Sequence, residues 1–288
     1  MIHTWTRKAS NLVQTDVSNF WGLGDLLRGS NILFEVCKDL NIEYVLDISH
    51  HPLGSVFLPN ENEVKAKPEY SVPFHFFKDL EDAKLQIAKM FENSDSVVIN
   101  SNGCPSWPTE SSTEWRDLIQ SSLPVTPRIR RSLDTFLPPS NYGVFHFRMG
   151  DRSLVRGKGR VLIRALVALF RYGEPDDVII SDSKKFKFAA KLFFPRIKVS
   201  DATPVHSGLS ENSDFLSQTL HDFFLIAGAI KVKTYSEYAW ASGFVVSACR
   251  LYDVPMIEID RKALRKGRYL KAQYKKLLNS WKSFRGNA

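Results

Sequence analysis

The stretch YGVFHFRMGD, residues 142–151, is a short apolar run that ends in charged residues and a glycine. Its aromatic and β-branched residues predict a buried strand over 142–147. His146, Arg148 and Asp151 then lie at or just beyond the carboxyl end of that strand. In open α/β sheets, ligands bind at this end of the strands. The stretch therefore predicts both a sheet and a ligand site at its edge.

Apolar runs recur after this stretch at intervals that leave room for a helix between them. The pattern predicts strands over 177–181, 197–200, 230–234 and 255–259, and helices over 160–172, 184–194, 217–228 and 238–251. Alternation of strands and helices is typical of a parallel α/β sheet. The C-terminal half is thus predicted to be one α/β domain.

The N-terminal half shows the same alternation. Helices are predicted over 26–40 and 81–91, and strands over 42–48 and 96–100. Between the two halves, residues 123–141 include four prolines and show little periodicity. This composition predicts an interdomain connection that has room for one short helix.

The composition excludes several classes of protein. Hydrophobic residues make up 43% of the 288 residues, enough for two domains of ordinary size. No run of about 18 or more uncharged apolar residues occurs, and the first residues lack the apolar segment of a secretory signal peptide. Cys37, Cys104 and Cys249 are too far apart in sequence to indicate a disulfide framework or a metal site. We therefore expect a cytoplasmic protein in a reducing compartment.

The net charge of +8 is a property of the C-terminal segment. Residues 261–288 contain ten Lys or Arg and no acid, whereas the rest of the chain holds 29 basic and 31 acidic residues. Apolar residues recur in this segment at spacings of three and four, which predicts an amphipathic helix with a basic face. Such a helix either packs across the body of the protein or rests on an anionic membrane surface, and the sequence leaves both open.

Arg148 has the most specific chemistry in the stretch that ends the predicted strand. Its planar guanidinium suits two oxygens of a diphosphate. It can neutralise the charge that develops on a leaving diphosphate without the help of a metal. The alternative is a buried Arg–Asp ion pair that ties the strand end to the next helix.

A glycine turn in the N-terminal half is a second candidate site. Gly22, Gly24 and Asp25 precede a predicted helix, and glycines before a helix allow an anion to approach its N-terminus. Asp25 is equally suited to cap that helix. The dinucleotide fingerprint G-x-G-x-x-G is incomplete, because Leu27 stands at the third position, so we exclude a nicotinamide cofactor. His50, after the next predicted strand, is a further candidate.

Two more segments place polar groups at the ends of predicted strands. Asp182 follows one strand, where it can accept hydrogen bonds from a nucleoside or cap the next helix. Thr234, Ser236 and Glu237 join another strand to a helix, where hydroxyls and backbone N–H groups form a phosphate seat or, with Ser236, an ordinary cap. Asp222, on the preceding helix, faces either this turn or solvent.

In this order the segments resemble the motifs of the fucosyltransferase superfamily. That superfamily includes the α1,2- and α1,6-fucosyltransferases, the nodulation-factor enzymes and the protein O-fucosyltransferases. The similarity extends over about residues 20–250, and its matching residues are Gly22, Gly24, Asp25, His146, Arg148, Gly150, Asp151, Ser181, Asp182, Asp222, Thr234 and Ser236. Three positions depart from the pattern: Met149 replaces a frequent second Arg, Asp25 a frequent Asn, and Glu237 a frequent Ser.

The resemblance implies an α/β fold of the GT-B type, with two Rossmann-like domains facing a cleft. The acceptor-side domain would span 1–125, the linker 126–141, the nucleotide-sugar-binding domain 142–260 and the basic C-terminal helix 261–288. The implied reaction is the inverting, metal-independent transfer of fucose from GDP-fucose to a hydroxyl of a glycan or a lipid-linked acceptor, with no cofactor. The residues implied in donor binding are Gly22, Gly24, Asp25, His146, Arg148, Asp182, Thr234 and Ser236.

Catalysis would then require Arg148 at the diphosphate and a base for the acceptor hydroxyl. Asp151 is the first candidate for that base and Glu237 the second. The chain has no DxD motif and no His, Cys or Asp cluster at metal-ligand spacing, so we expect no metal. If residues 261–288 rest on a membrane rather than on the body of the protein, the position is peripheral, at the inner face of the membrane.

Two alternatives remain open at this point. The first is a GT-B enzyme that uses a different nucleotide sugar. The second is a basic, non-enzymatic protein that binds nucleic acid through residues 261–288. That segment shows no known nucleic-acid-binding motif and the rest of the chain is slightly acidic, so nucleic acid is not an expected partner.

Overall fold

A computed structural model of the chain describes residues 1–5, 22–49, 51–57, 70–73, 77–101, 110–136, 140–150, 158–202, 213–238, 241–264, 275 and 279. The chain divides into two compact units. One contains residues 1–130, 205–220 and 250–252, and the other contains 131–204, 221–249 and 253–288. The main boundary, at residues 130 and 131, falls within the segment 126–141 for which a linker is predicted.

The N-terminal unit is built on a parallel four-stranded sheet. Its strands are β1 (Ile2–Trp5), β2 (Val45–Asp47), β3 (Tyr70–Pro73) and β4 (Val97–Ser101), in the order β2-β1-β4-β3. The helices of this half are α1 (Leu23–Asp39), α2 (Leu80–Phe91), α3 (Thr113–Ser122) and α4 (Pro127–Phe136). Ile32 and Val36 of α1 form one buried cluster with Ile87 of α2 and with Val97 and Ile99 of β4. This cluster is the core of the unit.

Strand β1 lies inside this sheet although its sequence did not predict a strand. Two of its four residues, His3 and Thr4, are polar and interrupt the apolar pattern. Both are satisfied by side chains from β2 or from the residue before it. Tyr44 OH lies 2.7 Å from Nδ1 of His3, and Oδ2 of Asp47 accepts from Thr4 Oγ1 at 3.4 Å. Partners distant in sequence therefore make this polar segment compatible with a buried strand.

The C-terminal unit is built on a parallel five-stranded sheet. Its strands are β5 (Gly143–Arg148), β6 (Asp177–Ser181), β7 (Lys198–Val199), β8 (Val232–Ser236) and β9 (Met256–Glu258), in the order β7-β6-β5-β8-β9. The helices of this half are α5 (Lys158–Tyr172), α6 (Lys184–Phe193), α7 (Ser213–Ala227) and α8 (Gly243–Tyr252). The rings of Phe145 and Phe186 each lie 4.3 Å from the ring of Phe147, between centroids. Strands covered on both faces account for the nearly continuous apolar runs of β5 and β6.

Three helices begin three or more residues from the predicted start, and one of them, α7, begins at Ser213 rather than at residue 217. Helix α1 begins at Leu23 with Gly22 as its N-cap, so Gly24 and Asp25 belong to its first turn. The predicted glycine turn and the predicted Asp25 cap are therefore wrong. Helix α8 begins only at Gly243, because β8 continues to Ser236 in register with β5 and uses residues that the pattern assigned to a helix start.

The basic segment 261–288 lies mostly outside the described residues. Lys262–Leu264 form a single 3₁₀ turn, and Leu264 is fully buried in the C-terminal core. Residues 275 and 279 are helical. Within the described residues, none of the helices combines the length and the apolar character that a membrane span requires.

Candidate active site

The strand order of the C-terminal sheet creates a topological switch point between β5 and β8. From β5 the sheet continues through β6 and β7 on one side, and through β8 and β9 on the other. Connections that leave β5 and β8 diverge, and open α/β sheets bind ligands at the carboxyl edge where this happens. Arg148, the last residue of β5, pairs in register with Ser236, the last residue of β8. The predicted phosphate-binding residue thus stands at the switch point.

Asp182 organises the turn that follows β5. Its Oδ1 accepts a hydrogen bond from the backbone N–H of Met149 at 2.8 Å, and its Oδ2 accepts one from Gly150 at 3.1 Å. The same Oδ2 lies 3.0 Å from Nη1 of Arg148. The Arg148 side chain is 38% exposed and that of Asp182 only 15%, so one edge of the guanidinium is held while the rest reaches solvent. An anion can therefore contact Arg148 without breaking this pair.

The alternative interpretations of these residues are partly correct. Arg148 does pair with an aspartate, as the structural alternative required, and the partner is Asp182. Asp182 is not the cap of the following helix, because Ser183 takes that position and accepts from the Phe186 N–H. Asp182 fixes the guanidinium of Arg148, and its predicted role in donor binding stays a prediction.

Gly150 is required by the shape of this turn. Its φ is +69°, in the left-handed region that side chains other than glycine adopt at a cost. A Cβ at this position would also collide with the hydroxyl and ring of Tyr238. That ring lies 6.0 Å from Cζ of Arg148, measured to its centroid. Tyr238 therefore lines the same end of β5 as Arg148.

His146 and Thr234 contact each other two register pairs deeper in the sheet than Arg148 and Ser236. Nδ1 of His146 lies 3.2 Å from Oγ1 of Thr234, and both side chains are buried. Burial, and secondarily the charges of Arg148 and Lys187, lowers the pKa of His146 to about 3. The ring is therefore neutral. Met149, one of the three positions that depart from the expected motif, is fully buried in the core.

Glu237 is engaged by cations and a phenol. Its carboxylate accepts from Arg164 through Nε at 3.2 Å and Nη2 at 2.5 Å, and the Tyr235 hydroxyl donates to it as well. The backbone N–H of Glu237 donates to the carbonyl of Arg148 at 3.0 Å, and the guanidinium of Arg261 donates to the backbone carbonyl of Glu237. A carboxylate with these partners is poorly placed to accept a proton from an acceptor. Glu237 instead fixes the end of β8 against β5.

Ser236 and Thr234 are strand residues, which corrects the predicted phosphate seat at a helix start. Oγ of Ser236 accepts from the Tyr238 N–H at 3.1 Å, and the helix begins seven residues further along, at Gly243. Ser236 therefore shapes the turn after β8. Its predicted contact with the donor stays a prediction.

Helix α7 contributes a fully buried carboxylate, Asp222. Ser200, which follows β7 at the same edge of the sheet, donates its hydroxyl to Oδ1. Oδ2 has no hydrogen-bond partner among the described residues. Burial raises the pKa of Asp222 to about 6, against the opposing effects of Lys187 and the Ser200 hydroxyl. Asp222 thus faces neither solvent nor the turn after β8, the two orientations that the sequence left open.

Arg164 and Lys187 are residues of this region that the sequence analysis did not select. Arg164 interrupts the apolar run of α5, and a charge in such a run indicates a buried ion pair, here with Glu237. Lys187 is buried beneath the site, where it donates to the carbonyl of Ala202 at 2.5 Å. Burial lowers its pKa. The sequence gave no signal for Lys187, because lysines also occupy exposed positions on both sides of it.

The remaining predicted residues lie elsewhere. Gly22, Gly24 and Asp25 belong to the N-terminal unit, where the Asp25 carboxylate accepts from Arg28 at 2.9 Å. Their role at the donor stays a prediction. Asp151 and His50 lie outside the described residues. Within the described part of the chain, no three His, Cys, Asp or Glu side chains are grouped so that they could hold a metal ion.

Comparison with known proteins identifies the architecture. No profile of a protein family and no curated protein matches the chain. A NodZ α-1,6-fucosyltransferase soaked with GDP-fucose superposes with a TM-score of 0.54 at 17% identity, over 90% of this chain and 94% of that one. The fucosyltransferase NodZ from Bradyrhizobium, in selenomethionine form, gives a TM-score of 0.56 at 16% identity, with the same coverage.

The chain has the NodZ fold. This finding confirms the predicted α/β class of the GT-B type. Because identity to NodZ is only 16–17%, the likeness establishes the fold, and the activity has to be argued from the site. In this NodZ-like fold, β5, β6 and β8 bring Arg148, Asp182 and Ser236 to one sheet edge.

Proposed function

We propose that the protein is a fucosyltransferase that moves fucose from GDP-fucose to a hydroxyl of a glycan or a lipid-linked acceptor. The observation that carries this proposal is the guanidinium of Arg148, held by Asp182 and open to solvent at the switch point of a NodZ-like sheet. A GDP-fucose-soaked NodZ has the same fold, which supports the choice of donor.

Arg148 would act on the leaving group. As the bond between the anomeric carbon and the β-phosphate oxygen breaks, negative charge grows on the diphosphate. The N–H groups of Arg148 that Asp182 does not occupy can bind those oxygens, and the Asp182 pair keeps the guanidinium in place as the charge develops. Attack by the acceptor oxygen from the opposite face inverts the anomeric centre.

The proposal assigns the donor's base to Asp222, which is fully buried at the carboxyl edge of the sheet and has to be uncovered when the nucleotide binds. A guanine presents two adjacent donors, the N1–H and the exocyclic amino group, and a carboxylate is the natural acceptor for them. Asp222 has one oxygen held by Ser200 and one without a partner among the described residues. Uracil offers a single ring N–H and satisfies such an oxygen less completely, which favours GDP over UDP.

The proton of the acceptor hydroxyl requires a base. Asp151 is the candidate that we retain, because the carboxylate of Glu237 is engaged by Arg164 and Tyr235. Asp151→Asn should lower kcat by about 10²-fold. A variant with normal turnover would remove Asp151 from the proposal and leave the donor assignment intact.

Gly22, Gly24, Asp25, His146, Thr234 and Ser236 complete the proposed donor site, and no metal or other cofactor is part of the proposal. We also propose a cytoplasmic, peripheral location, with residues 261–288 at an anionic membrane surface. The two buried free thiols, Cys37 and Cys249, are compatible with a reducing compartment.

A thermal-shift panel of GDP, UDP, CMP and dTDP tests the donor class directly. Selective stabilisation by GDP, followed by fucose transfer to a mixed glycan acceptor, is the expected result. Selective stabilisation by another nucleotide would assign another sugar donor. Binding of nucleic acid that decreases steeply with salt, with no response to any of these nucleotides, would overturn the enzyme assignment.

A further inference from the structure

Helix α6 exposes a large apolar side chain at the centre of a group of lysines. Phe188 is 71% exposed, and Leu192, one turn later, is 41% exposed. Residues three and four positions apart are neighbours on a helix surface. The exposed neighbours of Phe188 are therefore Lys184, Lys185, Lys191 and Leu192. We call these five residues the α6 basic–apolar face.

The opposite face of α6 is well packed, so the exposure of Phe188 does not result from a loosely held helix. Phe186, Ala189 and Ala190 of this helix belong to the buried cluster of the C-terminal unit. Ser183 caps the helix by accepting from the Phe186 N–H at 3.2 Å. The helix is thus fixed by its inner side, and Phe188 points away from this buried cluster.

The charge around this face is predominantly positive. No acidic residue occurs between Lys184 and Ser200, and Arg196 and Lys198 extend the exposed basic surface beyond the helix. Asp201, the first acid after this stretch, pairs with Lys191. Exposed apolar residues on other helices have different surroundings. Leu85 on α2 is 53% exposed, and the residues three and four positions before it are Asp82 and Glu81.

We infer that the α6 basic–apolar face binds an anionic phospholipid surface. Phe188 and Leu192 enter the boundary between headgroups and acyl chains, and the lysines contact lipid phosphates. Exposed aromatic and aliphatic side chains surrounded by lysine are the composition that membrane-surface helices use. A second copy of the chain is a poor occupant, because a symmetric contact would bring the same lysines together. Nucleic acid is a poor partner as well, because the aliphatic side chain of Leu192 can neither pair with a phosphate nor hydrogen-bond to a base.

This face is connected to the candidate active site. Helix α6 begins one residue after Ser183, and Asp182, which holds Arg148, comes directly before that cap. A membrane contact through α6 would therefore fix the carboxyl edge of the C-terminal sheet near the lipid surface. The inference does not depend on the proposed reaction, since it rests on the surface of α6 alone.

Vesicle sedimentation with the full-length chain tests the inference. The protein should pellet with phosphatidylglycerol-containing vesicles at low salt and stay in solution with pure phosphatidylcholine vesicles. Phe188→Ser should lower the partition coefficient about tenfold. Lys184→Glu and Lys185→Glu should each lower it about fivefold or more. Leu85→Ser is the matched control and should change nothing, and the GDP-induced thermal shift should be the same in all variants.

A probe at residue 188 separates α6 from the basic C-terminal segment. In Phe188→Trp, the added tryptophan fluorescence should shift to the blue and be quenched by brominated anionic lipids, relative to the wild-type protein. If sedimentation with vesicles is unchanged in every α6 variant and is lost in Lys275→Glu/Lys276→Glu, the basic C-terminal segment binds the membrane and the inference is overturned. Self-association that requires Phe188, measured by analytical ultracentrifugation without vesicles, would overturn it as well.

Discussion

The two sheets of the molecule carry similar residues inside and different residues at their ends. Each has a buried histidine in an inner strand, His3 in β1 and His146 in β5, and in each the strand ends two residues later. Burial lowers the pKa of both histidines to about 3. Nδ1 of His3 lies 2.7 Å from the hydroxyl of Tyr44, as Nδ1 of His146 lies 3.2 Å from that of Thr234. Both histidine rings are therefore neutral.

The last residues of these two strands differ in chemistry and in exposure. Trp5 ends β1 fully buried, with its ring edge-on to His51 at 5.8 Å between centroids. Arg148 ends β5 with more than a third of its side chain exposed. A buried indole contributes to stability, whereas an exposed and fixed guanidinium can bind an anion. We therefore expect the chemistry of this fold to depend on the strand-end residue more than on the buried histidine.

Exchanging the two strand-end residues for smaller ones should give opposite results. Arg148→Ala should lower kcat by about 10²-fold or more, because the leaving diphosphate loses its fixed cation, while the melting temperature stays near that of the wild-type protein. Trp5→Ala should instead destabilise the fold by about 3–5 kcal/mol. Steady-state kinetics and thermal unfolding measure the two effects.

The control for Arg148→Ala is Arg128→Ala, which removes an exposed arginine paired with Asp214. It should leave kcat unchanged. Arg148→Lys should restore only part of the rate, because an ammonium cannot bind two diphosphate oxygens side by side. A folded Arg148→Ala protein with near-normal turnover would show that the comparison assigns the chemistry to the wrong strand end.

The buried carboxylate Asp222 gives a second test of the C-terminal unit, because its Oδ2 has no hydrogen-bond partner among the described residues. Asp222→Asn should weaken GDP binding about tenfold or more, since an amide nitrogen in the place of the unpartnered Oδ2 cannot accept a hydrogen bond from guanine. In the wild-type protein, GDP affinity should decrease as the pH falls below about 6, where Asp222 becomes protonated. Isothermal titration at several pH values measures both effects. Unchanged GDP affinity in the variant would exclude Asp222 from the base site.

Protonation of Asp222 should weaken GDP binding, but it should stabilise the fold. Its folded-state pKa of about 6 exceeds its ordinary value of 3.8, so the folded protein binds the proton more tightly than the unfolded chain. Its stabilising contribution is complete below pH 4 and is lost as the pH rises to about 6. Above that pH, Asp222→Asn should be more stable than the wild-type protein, by roughly 3 kcal/mol at most.

Much of the C-terminal sheet could be predicted from sequence, because buried parallel strands such as β5 and β6 leave continuous apolar runs. The HFRMG turn was also recognisable, since the end of an apolar strand at Arg148 and the left-handed backbone at Gly150 are features of the local sequence. Strand β1 could not be found, because its polar residues depend on Tyr44 and Asp47, which are distant in sequence. The partner of Arg148 could not be predicted from sequence for the same reason, since Asp182 follows a different strand.

Glu237 tests whether a charged residue beside Arg148 must itself be catalytic. Glu237→Gln should lower kcat no more than about fivefold, without changing the pH dependence of kcat, because Glu237 acts by positioning the end of β8. Stability should fall by about 1–3 kcal/mol, since Arg164 loses its carboxylate partner. The double variant Glu237→Gln/Arg164→Met should recover part of that loss. A decrease in kcat of about 10²-fold with loss of the acidic limb of its pH profile would identify Glu237 as the base.

The smallest expected effect is that of metal removal. A divalent cation at the diphosphate would need carboxylate oxygens that are free to coordinate it. Among the described residues at the ends of β5, β6 and β8, the carboxylates Asp182 and Glu237 already have other partners: Asp182 holds Arg148 and two backbone N–H groups, and Glu237 binds Arg164. With Arg148 supplying the positive charge, transfer after EDTA treatment should proceed at the original rate, and Mg²⁺ or Mn²⁺ should add nothing beyond an equal ionic strength of NaCl. Activity that EDTA abolishes and Mn²⁺ restores would mean that the strand-end arginine is not the cation on which the leaving group depends.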